Sequence, residues 1–125
     1  MAGITLDTGA LVALERGSKR MRALLLAADQ DDVVVTVPAV VLVEWWRSGT
    51  GRQCTILEAL DIEPLNEQLG KLAGEALAAL PGATVVDAVV MASAAQRGDV
   101  VYTSDFEDLD RLHTHFRGVH KLLRV

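Results

Sequence analysis

Four carboxylates stand where an acid must either do something or be paid for by its neighbours. Asp7 ends the apolar run Gly3-Ile4-Thr5-Leu6, and Glu44 lies inside Val40-Val41-Leu42-Val43-Glu44-Trp45-Trp46. Asp87 follows Val85-Val86, and Asp105 comes just after Val100-Val101-Tyr102-Thr103. Each has an ordinary reading. Asp7 and Asp105 can cap the helices that follow them. Thr84-x-x-Asp87 is a capping-box variant, and Glu44 can pair with Arg47 three positions on. Glu44 has no capping role, and a mid-helix acid that is apolar on nearly every side is expected to be buried and costly unless paired or neutralised. If the four gather, their mutual repulsion raises their pKa values. A divalent cation relieves it, and hard oxygen donors suit Mg2+ or Mn2+. Bound cations also turn an anionic pit into a site that accepts phosphate.

The elements that must position these acids are short and regular. Gly3 to Leu6 reads as a strand, Thr8 to Glu15 as a helix closed by Gly17, and Ser18 as the cap of a helix to about Asp29. The β-branched run Val33 to Val37 has no alternation, as expected of a strand buried on both faces. Pro38 suits the first turn of a helix over Ala39 to Arg47. Ser48 to Gly51 is a loop, Gln53 to Leu60 a helical stretch and Asp61 to Leu65 a short strand. Asn66 caps a helix to about Leu80, which Pro81-Gly82 ends, and Thr84 caps the next to about Gln96, with Gly98 past its end. Val100 to Thr103 is a strand, Phe106 to Leu112 a short helix and Val119 to Val125 a last strand. Alternating buried strands and helices predict an α/β fold with a mainly parallel central sheet covered on both faces. In such a sheet ligands bind beyond the carboxyl ends of the strands. Asp7 and Asp105 stand at two of those ends, and Asp87 can face the same crevice.

The chain has 125 residues, half of them hydrophobic and only 4% aromatic, which predicts one domain over residues 1–125 with an aliphatic core. A single cysteine, Cys54, excludes an internal disulfide and a cysteine-based zinc cluster. No apolar run reaches the length of a membrane span, and Asp7 interrupts before a signal-peptide core forms, so a soluble, cytoplasmic protein without a membrane partner is expected. The net charge of −5 opposes binding to nucleic acid, but the basic residues are grouped. Arg16, Lys19, Arg20 and Arg22 form one set, Arg47 and Arg52 a second, and Arg111, Arg117, Lys121 and Arg124 a third that contains no acid. His113, His115 and His120 share the third segment, but their spacing fits no standard zinc pattern and reads as solvated surface.

The ordered set Leu6-Asp7-Thr8, Val37-Pro38 to Val43-Glu44, Val86-Asp87-Ala88 with Met91-Ala92, and Thr103-Ser104-Asp105 resembles the PIN-domain nucleases, whose fold is a three-layer α/β/α domain. Length and spacing resemble the VapC toxins over essentially the whole chain. The resemblance implies an endoribonuclease dependent on Mg2+ or Mn2+, with Asp7, Glu44, Asp87 and Asp105 as the acidic site. Of these, Asp7 and Asp87 would be the foremost metal ligands, joined by Asp105. It also implies a homodimer, an RNA substrate and a cognate antitoxin protein that blocks the site. One departure concerns Asp108, followed here by Leu109 where the family often has an acid and then Phe. A helix role for Asp108 is the simpler reading.

Other chemistries leave marks that can be compared. Asp7-Thr8-Gly9 resembles the active-site turn of aspartic proteases, which would here need a dimer, but those enzymes are rich in β-structure. No Gly-rich phosphate loop or Gly-Lys-Ser/Thr follows a strand. A PIN-fold module kept only for binding RNA or protein would not need all four acids. Of the adjacent Trp45 and Trp46, about 100° apart on a helix, one is expected in the core and the other at a dimer or antitoxin groove.

Overall fold

A computed structural model describes residues 2–125; Met1 lies outside the described residues. Five strands form the sheet: β1 (Ile4–Leu6), β2 (Val35–Pro38), β3 (Asp61–Glu63), β4 (Val100–Thr103) and β5 (Lys121–Arg124). Their order is β3-β2-β1-β4-β5 and every neighbouring pair is parallel, so the expected mainly parallel sheet is wholly parallel. Parallel strands need crossovers, and the seven helices of the described residues supply them. They are α1 (Thr8–Glu15), α2 (Lys19–Gln30), α3 (Ala39–Trp45), α4 (Gly51–Glu58), α5 (Glu67–Ala79), α6 (Val85–Arg97) and α7 (Phe106–His113). Helix α1 packs on β1 and β4 and against α2, α3 and α4, whereas α6 packs on β1, β2 and β4 and against α5 and α7. Two helical layers thus enclose the sheet, the three-layer α/β/α arrangement.

The chain runs outward from β1 through β2 to β3, then returns across the sheet to β4 and β5. The strand order therefore reverses between β1 and β4, the switch point beyond whose carboxyl ends an open parallel sheet leaves a crevice. Leu6, Leu11, Met21, Val37, Val41, Val90, Met91 and Val101 are among the fully buried side chains, and the aliphatic core is continuous from α1 through the sheet to α6. No helix of the described residues is long and apolar enough to cross a membrane.

Capping set the helix starts as expected. Ser18, Asn66 and Thr84 each accept the backbone N–H three residues on. Gly98 ends α6 in the left-handed conformation at φ 71°. Differences fall at strand β2 and helix α3. Val33 donates its N–H back to the Ala28 carbonyl through a turn in which Asp32 has φ 55°, so Val33 belongs to the exit of α2 and pairing begins at Val35. Pro38 is not in the first helical turn. It is the last residue of β2 and the N-cap of α3, with ψ 139°. The helix then stops at Trp45 rather than Arg47, because Trp46 is extended at ψ 134°.

Candidate active site

Asp7 is the helix cap that one of its two readings expected, and it is also fixed from the neighbouring strand. It caps α1, its Oδ1 accepting the Ala10 N–H at 2.9 Å. Its other oxygen, Oδ2, accepts the hydroxyl of Thr103 at the end of β4. Backbone pairing continues past the strands, with Asp7 N–H donating to the Tyr102 carbonyl at 3.3 Å. Asp7 is buried. Burial pushes its carboxyl above the usual carboxylate range and the nearby charge of Asp105 adds to the rise, while the Thr103 and Ala10 bonds oppose it.

Asp87 sits in the first turn of α6, half-buried, its N–H donated to Thr84 Oγ1 at 3.2 Å. Burial pushes its carboxyl up to about 6 against the opposing Thr84 side-chain bond, and the charges of Asp105, Asp7 and Asp108 raise it further. Asp105 is exposed at the N-cap position of α7, yet its side chain makes no capping bond; only its N–H is held, by Thr103 Oγ1 at 2.8 Å. Its carboxylate is thus free, and its charge reaches both Asp7 and Asp87. Three of the expected acids therefore share one electrostatic field at the switch point between β1 and β4.

Glu44 corrects the expectation of a buried acid. It is exposed near the end of α3 and makes no ion pair with Arg47, whose guanidinium turns to the Trp46 carbonyl. The apolar run around it misled because α3 is short and its neighbour Trp45 takes the core side. Glu44 is nevertheless tied to the first strand end: Thr8 donates its hydroxyl to Glu44 Oε1 at 2.6 Å. Asp108 stands where its helix reading put it, exposed in the first turn of α7, and its charge also contributes a little to the rise at Asp87.

Three positioning residues were missed. Thr103 joins Asp7 to the backbone of Asp105, and Thr8 joins the β1 end to Glu44. Gly9 is the third: a Cβ there would lie 1.7 Å from Ser104 Oγ, so only glycine lets the start of α1 abut the β4–α7 turn. The hydroxyls stood beside Asp in both Leu6-Asp7-Thr8 and Thr103-Ser104-Asp105, a visible signal; the close approach at Gly9 depends on folding and left none.

The donor set is oxygen only, carries no basic partner, and contains two acids with raised pKa, which fits a hard divalent cation. Among the described residues no three His, Cys, Asp or Glu side chains are gathered tightly enough to cage an ion by themselves. Mg2+ suits such an open set, because it keeps several waters and needs only one or two carboxylates.

The remaining candidates separate. Trp45 fills the core and donates Nε1–H to Glu15 Oε1 at 2.9 Å, while Trp46 is half-buried, edge-on to it at 6.2 Å. His115 and His120 are exposed, and His113 Nε2 lies 2.9 Å from the Val119 carbonyl. The C-terminal basic residues do not form one face. Arg117 and Lys121 precede or start β5, at the end of the sheet opposite the acids, and Arg124 is paired with Glu107 at 3.0 Å over the Phe106 ring. The Asp7-Thr8-Gly9 string opens a helix in a parallel α/β fold, not the β-rich setting of an aspartic protease.

Comparison with known proteins agrees with this architecture. The PIN-domain family model matches residues 4–113. A solved structure described as FitAB bound to an IR36 DNA fragment is similar with a TM-score of 0.60 at 18% identity, over 97% of this chain and 94% of the other. At that identity the likeness concerns the fold. No curated protein matches. With the model spanning every one of the four acids and both strands that meet at the switch point, the chain belongs to the PIN-domain family.

Proposed function

We propose that this chain is an endoribonuclease dependent on Mg2+ or Mn2+, the toxin of a toxin–antitoxin pair, working as a homodimer and restrained by a cognate antitoxin. The observation that carries the nuclease reading is the gathering of Asp7, Asp87 and Asp105 at the switch point, where burial raises Asp87 to about 6 and the charges of Asp105 and Asp7 add to the rise. The toxin, dimer and antitoxin parts rest on the resemblance to VapC toxins in length and motif spacing.

Asp7, Asp87 and Asp105 would hold the metal, with Asp108 adding negative charge at the Asp87 side. Bound there, one or two such ions supply Lewis acidity at a phosphodiester oxygen and a water acidic enough to attack near neutral pH. Thr103 aims Asp7, leaving Asp7 few orientations. Glu44, steadied by Thr8 and exposed to solvent, would orient a water and accept its proton.

A binding module without catalysis is the second reading, favoured by the lack of a tight three-ligand cluster among the described residues. One experiment separates the two. Structured RNA is incubated with the protein in EDTA, then in Mg2+ or Mn2+, beside Asp87→Asn and with DNA of the same sequence as a control. Metal-dependent RNA cleavage that falls at least about a hundredfold in Asp87→Asn is expected. No cleavage, together with no metal binding by calorimetry, would leave the binding module.

A further inference from the structure

We propose that the groove along α1, between the acids and Arg16, seats a nucleotide of single-stranded RNA next to the cleaved phosphodiester. This rests on the nuclease reading and names the path of its substrate. The groove holds about 490 Å³ and is lined by Gly9, Val12 and Ala13 on α1, with Ser104 and Val125 opposite and Arg16 at its rim.

Its two ends carry the argument. At one end the lining residues Gly9 and Ser104 adjoin members of the acidic site in the chain: Gly9 follows Thr8, the hydroxyl that holds Glu44, and Ser104 precedes Asp105. At the other end α1 finishes at Glu15, and Arg16 stands exposed with no salt bridge among the described residues. Lys19 and Arg20, also exposed and without salt bridges, continue the positive rim into α2. Helix α1 thus runs from an acidic end to a basic end over eight residues, about 12 Å at 1.5 Å per residue.

A polynucleotide matches this order of surfaces. Its phosphates suit the guanidinium and ammonium groups at the far end. Between phosphates it offers a flat, apolar base face, and Val12, Ala13 and Val125 offer aliphatic contact for one. Ser104 places a hydroxyl at the near edge. Unstacked bases reach such a floor only in a single strand or loop. Three other arginines are less suited: Arg52 is committed to the Glu15 carbonyl at 2.6 Å, Arg111 to the Pro81 carbonyl at 3.0 Å and Arg124 to Glu107.

The test is binding of a fluorescently labelled single-stranded oligoribonucleotide to the full chain, measured by anisotropy in Ca2+ and in EDTA over a salt series. Arg16→Ala is expected to weaken binding about three- to tenfold and to flatten the log K against log salt slope by about 0.7, the increment for one phosphate contact on a single strand. Ala13→Phe, which fills the floor, is expected to weaken binding about tenfold or to change which sequences bind best. Arg117→Ala, at the opposite end of the sheet, serves as the control and should bind as wild type. If Ala13→Phe does not fold, Arg16→Ala and Arg16→Glu, at an exposed side chain, still decide. Wild-type binding in the Arg16 variants, or weakening equal to that in Arg117→Ala, overturns the groove even if the protein cleaves RNA. Weaker binding in the Arg16 variants with no cleavage in Mn2+ keeps the groove and removes the nuclease reading.

Discussion

Asp87 carries a measurable signature of its surroundings. Its carboxyl is raised to about 6, so between its ordinary value near 3.8 and 6 the folded chain holds a proton that the unfolded chain has lost. The native state then binds more protons than the unfolded state, and stability falls as pH rises through that window. Below it both states are protonated; above it both are ionised and the full penalty remains. Asp87→Asn removes the penalty. The metal-free variant is therefore expected to be more stable than wild type above pH 6, by about 1 kcal/mol after allowing for solvent screening at a half-exposed site, with the gap closing toward pH 4. Thermal melts of both proteins in EDTA from pH 4 to 8 measure this, and a gap that does not vary with pH would contradict the raised Asp87 carboxyl. Saturating Mg2+ should reverse the order of stability, since it binds the folded wild type and favours the ionised carboxylates. Much of this scale was legible in the sequence, because an acid after a β-branched run is conspicuous. The exposure of Glu44 was not: a run of apolar neighbours marks a helix as packed but does not say which side of it faces solvent.

The short helix α3 must present Glu44 from an end that has no capping side chain of its own. That end is closed from outside by Gln53 of α4, which is buried. Its Nε2 donates to the Trp45 carbonyl at 3.0 Å, and its Oε1 accepts the Arg47 N–H at 3.4 Å. Glu15 of α1 holds the same turn through the Trp45 indole, and Arg52 of α4 closes the end of α1. Helices α1, α3 and α4 are therefore registered by polar contacts at their ends as well as by the core. Gln53→Ala leaves a buried carbonyl without a partner and is expected to cost about 1–3 kcal/mol in a urea melt. A change below about 0.5 kcal/mol would mean that the α3 end relaxes into solvent instead. The helix starts could be read from Ser18, Asn66 and Thr84 because a cap is a local device. The end of α3 could not, since what stops it lies eight residues away on another helix.

At the scale of the whole molecule, one arginine fastens elements across the sheet. Arg97, at the last position of α6, donates to Asp99 Oδ2 and Glu63 Oε2, both at 2.9 Å, to Thr5 Oγ1 at 3.0 Å and to Ser93 Oγ at 2.9 Å. Asp99 is buried and also accepts the Gly3 N–H and the Thr5 hydroxyl. This network links β3, β1, α6 and the approach to β4. Arg97→Ala strands a buried carboxylate and is expected to destabilise by about 3 kcal/mol, whereas Arg97→Lys should recover only part of that because one ammonium cannot reach all four acceptors. Equilibrium denaturation of the two variants tests it; equal stability of Arg97→Ala and wild type would show that Asp99 tolerates isolation. The alternation of strands and helices made the layered fold readable, and the switch point followed from it. This fastening was not readable, because its members are far apart in sequence and none is unusual alone.

The pairing of β1 with β4 has a consequence in time. Thr5 lies beside Val101 and Thr103 bonds Asp7 across 96 positions, so the acidic site joins the first strand of the chain to the fourth. A contact that closes so long a loop forms late. During synthesis at about 5–20 residues per second, Asp7 emerges roughly 5 to 20 seconds before Asp105 exists. A growing chain thus holds no complete acidic site until β4 and the Asp105 turn have been made and have docked beside β1.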